Sequence, residues 1–237
     1  RVSRHSRHGH SRYLCGVGMM NFGSIPFVAQ ATPLPAGSSA YLSETYTPSG
    51  GSSTVITRPA GATSAHTLTA VLFGNAAGIE TQAAPSGWTA GDGVVLGSNS
   101  ARLYTAPGDV ATLTFAHPVI AGGVACFATT APLKAGYSLV QHDYSTGAAT
   151  NQPTPSITAV AGDLIVSLYI QQDDGTGGEL VGPVQAEYTT EFQVNVADTP
   201  PYVSFLSRAG VAAGATGTVS HGADGNFSTR YLLTAAF

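Results

Sequence analysis

Charged side chains are scarce in this sequence. Its 237 residues include nine Lys or Arg and thirteen Asp or Glu, and these four types make up 9% of the chain. Because ordinary soluble domains are about 25% charged, solubility here must come from hydroxyl groups and the backbone. A run of about 18 apolar residues is also missing, which excludes a predicted membrane-spanning helix. The length is ample for one large domain with its own core.

Cysteine is nearly absent. The two cysteines, Cys15 and Cys126, are too few to indicate a disulfide framework. We expect two unpaired thiols, and a disulfide between them remains the alternative. Cys126 lies in the apolar stretch GGVACFATT, which predicts a buried position on a strand.

The short motifs that carry common catalytic chemistry are missing as well. Beyond the first dozen residues there is no GxSxG stretch, no phosphate-binding GxxxxGKS or GxxxxGKT loop, and no HxH or HExxH pair of metal ligands. His66, His117, His142 and His221 are predicted to be surface or turn residues. The carboxylates are isolated along the chain, so no pair of the kind that glycosidases use can be assigned. We predict no catalytic residue, no cofactor and no enzymatic activity, with a sandwich-fold hydrolase as the least favoured alternative.

The densest group of acidic residues is the stretch QQDDGTGGE. It places Asp173, Asp174 and Glu179 around three glycines. Hard cations bind several oxygen ligands from a flexible loop, so these residues are weak candidates for a metal site. Their spacing does not match the EF-hand loop. A hairpin tip rich in Gly and Asp is the more common identity of such a stretch, and no metal is predicted.

Glycine, proline and short apolar stretches are abundant. The 29 Gly and 14 Pro separate about a dozen predicted strands, with no predicted helix of ten residues or more. Regular short strands of this kind indicate an all-β fold, and we expect an antiparallel β-sandwich of jelly-roll type over residues 25–237. The predicted strands are 39–46, 53–58, 67–73, 100–105, 110–116, 122–130, 137–144, 163–172, 187–196, 202–208, 214–220 and 230–237.

The basic residues are concentrated at the N-terminus, in RVSRHSRHGHSR. Arg1, Arg4, Arg7 and Arg12 are four of the nine, and the other 225 residues have a net charge of −8. A segment of this composition cannot bury enough apolar surface to order itself. Residues 1–24 are therefore predicted to form an extended assembly arm that an acidic partner holds.

The identity of that acidic partner is open at this stage. Nucleic acid, a membrane surface and an acidic protein face all fit the charge, and docking on the chain's own acidic body is the alternative. Nucleic-acid binding is not expected as the main role, because the arginines have no interleaved aromatic residues and the body is acidic.

Three aromatic residues are candidates for contact with a glycan. Trp88, the single tryptophan, follows a Pro-Ser-Gly turn in APSGWTAGDG. It is either a core plug beneath a loop, which we favour, or an exposed platform for a sugar ring. Tyr137 and Tyr144, the first and last residues of a predicted strand, are the other two candidates.

A longer stretch carries a resemblance to known proteins. The segment VITRPAGATSAHTLTAVLFGNAAGIETQAAPSGWTAGDG contains a Pro-Ala-Gly turn, the apolar strand TLTAVLF and the Pro-Ser-Gly-Trp turn. It resembles a pattern in bacteriophage virion proteins and actinobacterial surface β-sandwiches, over about residues 50–237. In those modules a Gly-Asp pair usually precedes the apolar strand. The pair is missing before TLTAVLF but is present as Gly162-Asp163 before LIVSLYI.

The resemblance implies a jelly-roll-like fold and a structural role in a virion, and it carries over no catalytic residue. We expect a capsid decoration, head fibre, spike or tail component that binds other virion proteins through its arm. A homo-oligomer or a lattice-bound subunit would follow, with contact to host-surface carbohydrate. The alternative is a carbohydrate-binding or adhesin module without a virion role.

Two stretches of the sequence share one order of features. TRPAGATSAHTLTAVLF and TPSITAVAGDLIVSLYI both run from Thr and Pro through a short loop to an apolar strand. Two strands in matched roles or a duplication would each explain this similarity.

Overall fold

The computed structural model describes eight segments of the chain, all within the compact unit Leu34–Phe237. These segments are residues 39–49, 51–118, 121–143, 151–172, 180–183, 187–194, 202–223 and 229–237. Several predictions fall outside them. These are the assembly arm at residues 1–24 with its four arginines, Cys15, Tyr144, Asp173, Asp174 and Glu179.

Short strands are the main secondary structure of the described residues, and the 3₁₀ turn Ile79–Thr81 is the helical element found among them. The first half of the chain contains β1 (Tyr41–Ser49), β2 (Ser53–Val55), β3 (Thr67–Gly74), β4 (Thr89–Leu96), β5 (Asn99–Pro107), β6 (Thr114–Ala116) and β7 (Gly122–Thr129). The second half contains β8 (Ser138–Asp143), β9 (Asn151–Pro153), β10 (Thr158–Ala159), β11 (Ile165–Gln172), β12 (Leu180–Pro183), β13 (Thr189–Val194), β14 (Tyr202–Arg208), β15 (Gly214–Ala215), β16 (Ser220–Ala223) and β17 (Thr229–Ala236).

Two five-stranded antiparallel sheets form a sandwich. The first sheet has the order β1-β7-β3-β5-β4, and the second has the order β13-β14-β11-β17-β8. Their inner faces share one apolar core. Within it, Phe127 of the first sheet meets Phe205 and Phe237 of the second edge to face, with ring centroids 5.6 Å apart in each pair. This core holds the two layers together by burying apolar area.

The outer faces of both sheets are covered by the chain itself. Trp88 and Phe115 pack on the outer side of β3, β5 and β7. Val211 and Val219 pack on the outer side of β11 and β14. Central strands are therefore buried on both faces, which explains why their sequences are continuous apolar runs such as TLTAVLF instead of alternating patterns.

The two halves of the chain follow the same plan. Each half of the chain contributes five strands to its large sheet, and these can be numbered in chain order. Starting from β1 in the first sheet and from β8 in the second, both sheets then have the spatial order first, fifth, second, fourth, third. A small strand pair sits at the same two places in each half: β2 with β6 in the first, and β10 with β15 in the second. Strands β3 and β11 occupy the same central position, so the two similar sequence stretches are matched elements of a repeated arrangement.

The turns before these two central strands are also equivalent. The Thr63 N–H donates to His66 Nδ1 at 3.0 Å, and the Val160 N–H donates to Asp163 Oδ2 at 2.8 Å. Each turn is closed by a backbone bond between the same two positions, at 2.9 Å and 3.1 Å. His66 thus takes the place that Asp has in the Gly-Asp pair of the second half.

The structure confirms the all-β class and the antiparallel sandwich. It does not confirm the jelly-roll type, because each large sheet is formed by one contiguous half of the chain. The strands β4, β9, β10 and β12 were not predicted, β16 was predicted only at its first residue, and the predicted strand 110–116 is wrong over its first four residues. The predicted strands 53–58 and 214–220 are also shorter in the structure than in the prediction.

Candidate functional site

One edge of the sandwich brings together two outermost strands, β1 of the first sheet and β13 of the second. In the described part of the chain, the sheet partner of β1 is β7 and that of β13 is β14. The two strands contact each other across the sandwich. On their outer sides neither strand has a further partner among the residues that the structure describes, and such sheet edges commonly add strands or peptides.

A β-bulge interrupts each of these strands. In β1 the register shifts between Tyr41 and Ser43, and in β13 it shifts between Thr190 and Phe192. In a regular strand, residues 41 and 44 would point to opposite faces. With the bulge, Tyr41 pairs with Thr129 and Glu44 with Phe127, two alternate positions of β7 on its core face. The irregular register re-aims side chains toward the space between the sheets.

The bulges bring together Tyr41, Glu44 and Glu191. Burial raises the pKa of Glu44, the neighbouring Tyr41 hydroxyl acts in the opposite direction, and the negative charge of Glu191 raises it further. The pKa of the Tyr41 hydroxyl is also raised, first by burial and then by the two carboxylates. These three groups form a half-buried acidic cluster in which the charge of Glu191 disfavours the ionised form of Glu44.

The cluster borders an open groove of about 320 Å³. The Ser207 hydroxyl donates to a carboxylate oxygen of Glu191 in this groove. The adjacent Arg208 guanidinium lies 3.7 Å from the Glu187 carboxylate and 5.9 Å from the centre of the Tyr188 ring. The groove is lined by Ala40, Tyr41, Leu164, Glu187, Thr189, Glu191, Ser207, Arg208 and Ala209. We call it the acidic edge groove.

The opposite edge of the sandwich repeats part of this arrangement. Strand β4, the counterpart of β13, has a bulge between Ala90 and Gly93. Beside it, the Tyr137 hydroxyl accepts a hydrogen bond from the Asp92 N–H at 2.9 Å. Each edge therefore places a tyrosine near an acidic residue in a bulge. The two edges are equivalent in the repeated plan of the chain.

A second groove, of about 340 Å³, lies near the turn before β3. Its position matches that of the acidic edge groove, because both include the approach to a central strand and the end of its neighbour. Hydroxyl-bearing side chains replace the charged ones, and they belong to Ser64, Thr67, Thr89, Thr105 and Thr130. The two equivalent grooves thus differ in charge.

The described glycan candidates both have structural contacts. Trp88 is 6% exposed, its indole N–H donates to the Thr112 carbonyl at 2.8 Å, and its ring meets Phe115 with centroids 4.9 Å apart. A buried ring offers no face to a sugar, so the structure agrees with the core-plug alternative. Tyr137 is half-buried and packs against the main core, with its hydroxyl engaged at Asp92. Its contact with a glycan stays a prediction.

The predicted cysteine and histidine environments are partly confirmed. Cys126 is fully buried and unpaired, and burial raises the pKa of its thiol. His66 is half-buried in its turn. The surface assignment is wrong for His117, which is 6% exposed and whose Nε2 lies 2.9 Å from the Thr54 hydroxyl. Strands β8 and β16 contain His142 and His221.

Within the described ranges, no group of three or more His, Cys, Asp or Glu is placed to hold a metal ion. No described helix has the length and apolar character needed to cross a membrane. The acidic cluster therefore presents carboxylate and hydroxyl oxygens without forming a recognisable metal-binding set among these residues.

Comparisons with known proteins add no family to this description. No family model matches the chain. No curated protein and no solved structure is significantly similar to it. What the chain does must therefore be argued from its own geometry and charge.

Proposed function

We propose that this chain is a structural subunit of a phage-like virion: a capsid decoration, a head fibre or spike, or a tail component. The proposal rests on one combined observation: the chain covers the outer faces of its own sheets, and its charge is unevenly distributed along the sequence. The chain covers both outer faces of its own sandwich, and among the described residues no further strand pairs with the outer sides of β1 and β13. Four of its nine basic residues lie within the first twelve, and the other 225 residues have a net charge of −8.

Each part of that observation suits a building block. A sandwich buried on both faces is rigid, and open edges are the places where β-proteins associate. An arginine-rich terminal segment can bind carboxylates of a neighbouring protein through charge-assisted hydrogen bonds. The partners would be other virion proteins or further copies of this chain. The hydroxyl-lined groove, near the approach to β3, offers a neutral surface for host-surface carbohydrate.

Incorporation into particles tests this proposal. A tagged full-length chain and a variant lacking residues 1–20 are expressed in cells that produce the particles, which are then purified and probed by immunoblot and immunogold labelling. We expect the full-length chain in the particles and the truncated variant outside them, with the same thermal unfolding midpoint for both. A full-length chain that never accompanies particles would contradict the proposal.

A second candidate function is glycoside hydrolysis, and one observation favours it. Glu191 lines an open groove, and the pKa of the neighbouring Glu44 is raised by burial and by the charge of Glu191. Glycosidases use two carboxylates, one of which acts as a general acid with a raised pKa. Chromogenic glycosides would be tested with the wild-type chain, Glu44→Gln and Glu191→Gln. Turnover that both substitutions abolish would support this candidate, and no turnover with the wild type would remove it.

A further inference from the structure

We infer that the acidic edge groove binds the arginine-rich residues 1–12 of a neighbouring copy of this chain. The inference rests on the proposed function, because it names the contact through which the building block would join its neighbour. It commits to one occupant, and the following points argue for it from charge, spacing and chain length.

The groove carries negative charge that its described cation does not neutralise. Arg208, the basic residue of the groove lining, is paired with Glu187 at 3.7 Å. Glu191 receives a hydrogen bond from the neutral Ser207 hydroxyl. Glu191 lines the groove beside Tyr41, and its negative charge raises the pKa of Glu44. A guanidinium beside these carboxylates would offset their negative charge, and its planar set of N–H donors suits carboxylate oxygens.

The spacing of the arginines fits an extended ligand. Arg1, Arg4 and Arg7 are three residues apart. In an extended helix with three residues per turn, these side chains would share one side and stand about 9 Å apart. The open edges of β1 and β13 supply backbone groups beside the groove. One arginine can then reach the paired carboxylates while the backbone follows the edge.

The chain is long enough to make this contact between copies. The first described segment begins beside the same groove, because Ala40 lines it and the Ala40 carbonyl accepts a hydrogen bond from the Thr130 N–H at 3.0 Å. Residues 13–38 separate the last arginine of the segment from the first described residue. Fully extended, those 26 residues span up to about 90 Å. That distance exceeds the diameter of a domain of this size, so the segment can reach a neighbour's groove.

The test uses full-length chains and sedimentation velocity over a range of concentrations. The arm variant is R1S/R4S/R7S/R12S, and the groove variant is E44Q/E191Q. The matched control is Asp92→Asn, which removes a carboxylate from the bulge at the equivalent edge. We expect the wild type and the control to self-associate. We expect the affinity of self-association to be lower in either variant, by about tenfold or more. Thermal unfolding of each variant confirms that it is folded.

Mixing the two variants decides whether the contact is between copies. The groove variant has an intact arm and the arm variant has an intact groove, so an equimolar mixture should form dimers that neither variant forms alone. No gain on mixing would show that the arm docks on its own chain and would overturn the inference. A groove variant that assembles like the wild type would overturn it too, while leaving the proposed function intact. An arm variant that assembles normally, or a monomeric wild type, would also overturn the inference, and incorporation into particles would then decide the proposed function separately.

Discussion

Trp88→Phe is the substitution whose consequences the structure defines most fully. The indole of Trp88 fills the outer core of the first sheet, packs edge to face on Phe115, and donates its N–H to the Thr112 carbonyl at 2.8 Å. Phenylalanine keeps one ring but loses the donor, leaving the carbonyl without this bond and a void beside it. The lost hydrogen bond and the void together should cost about 2–3 kcal/mol of unfolding free energy.

Thermal unfolding followed by circular dichroism measures this cost. For a chain of this size, each kcal/mol lowers the midpoint by about 2–4 °C, so we expect a decrease of about 5–10 °C. Val95→Ala is the control, because Val95 is 51% exposed and its truncation should change stability by no more than about 0.5 kcal/mol. Since Trp88 is the single tryptophan, the wild-type emission should also be blue-shifted relative to free tryptophan.

Two results would refute the reasoning about Trp88. An unchanged unfolding midpoint in Trp88→Phe would show that the indole does not contribute to the core. Quenching of the wild-type emission by a soluble quencher or by added oligosaccharide would show an exposed ring. Together they would restore the interpretation of Trp88 as a platform for a sugar.

The remaining predictions concern the acidic cluster, a tight glycine and the repeated turn. Because the folded state raises the pKa of Glu44, the folded protein binds this proton more tightly than the unfolded chain does. Its stability therefore falls as the pH rises from the ordinary glutamate pKa through the raised one. In urea titrations, Glu44→Gln should remove this pH dependence and raise the free energy of unfolding at pH 7. Gly122→Ala should destabilise by about 3 kcal/mol, because a Cβ there would lie 2.1 Å from a carbonyl oxygen of the neighbouring strand. Gly51→Ala, which meets nothing within 4 Å, should be neutral in the same thermal assay. His66→Asp should retain the turn and unfold near the wild-type temperature, whereas His66→Ala should lose about 1 kcal/mol of unfolding free energy. Equal losses of stability in the two variants would contradict the equivalence of the two turns.

The strands that form the sandwich core could be predicted because they are buried on both faces. TLTAVLF and LIVSLYI are continuous runs of β-branched and apolar residues, and turn residues bound them. Strand β4 was missed because its sequence, TAGDGVVL, contains two glycines, which usually indicate a turn. In the structure these glycines allow close approach: a Cβ at Gly93 would lie 2.2 Å from the Glu80 carbonyl oxygen.

The acidic edge groove could not be predicted in the same way. Glu44 and Glu191 belong to strands in different halves of the chain, and bulges position them near each other. A bulge shifts the alternation of side chains by one residue, so the period-two pattern assigns such positions to the wrong face. The signal available in the sequence was the excess of acidic residues outside the N-terminal segment. This excess indicates that the body is negatively charged, but it does not locate the carboxylates on its surface.

The repeated plan of the chain separates what the fold supplies from what individual side chains supply. Both edges of the sandwich have a bulged outer strand and a tyrosine near an acidic residue, so these features follow from the plan itself. Glu187, Glu191 and Arg208 line one groove, and the equivalent groove is lined by serine and threonine hydroxyls and by His66. A difference in binding between the two grooves must therefore come from these linings. The chain carries its own internal control, because a partner that needs only an open sheet edge would bind at both edges, whereas a basic segment would select the acidic one.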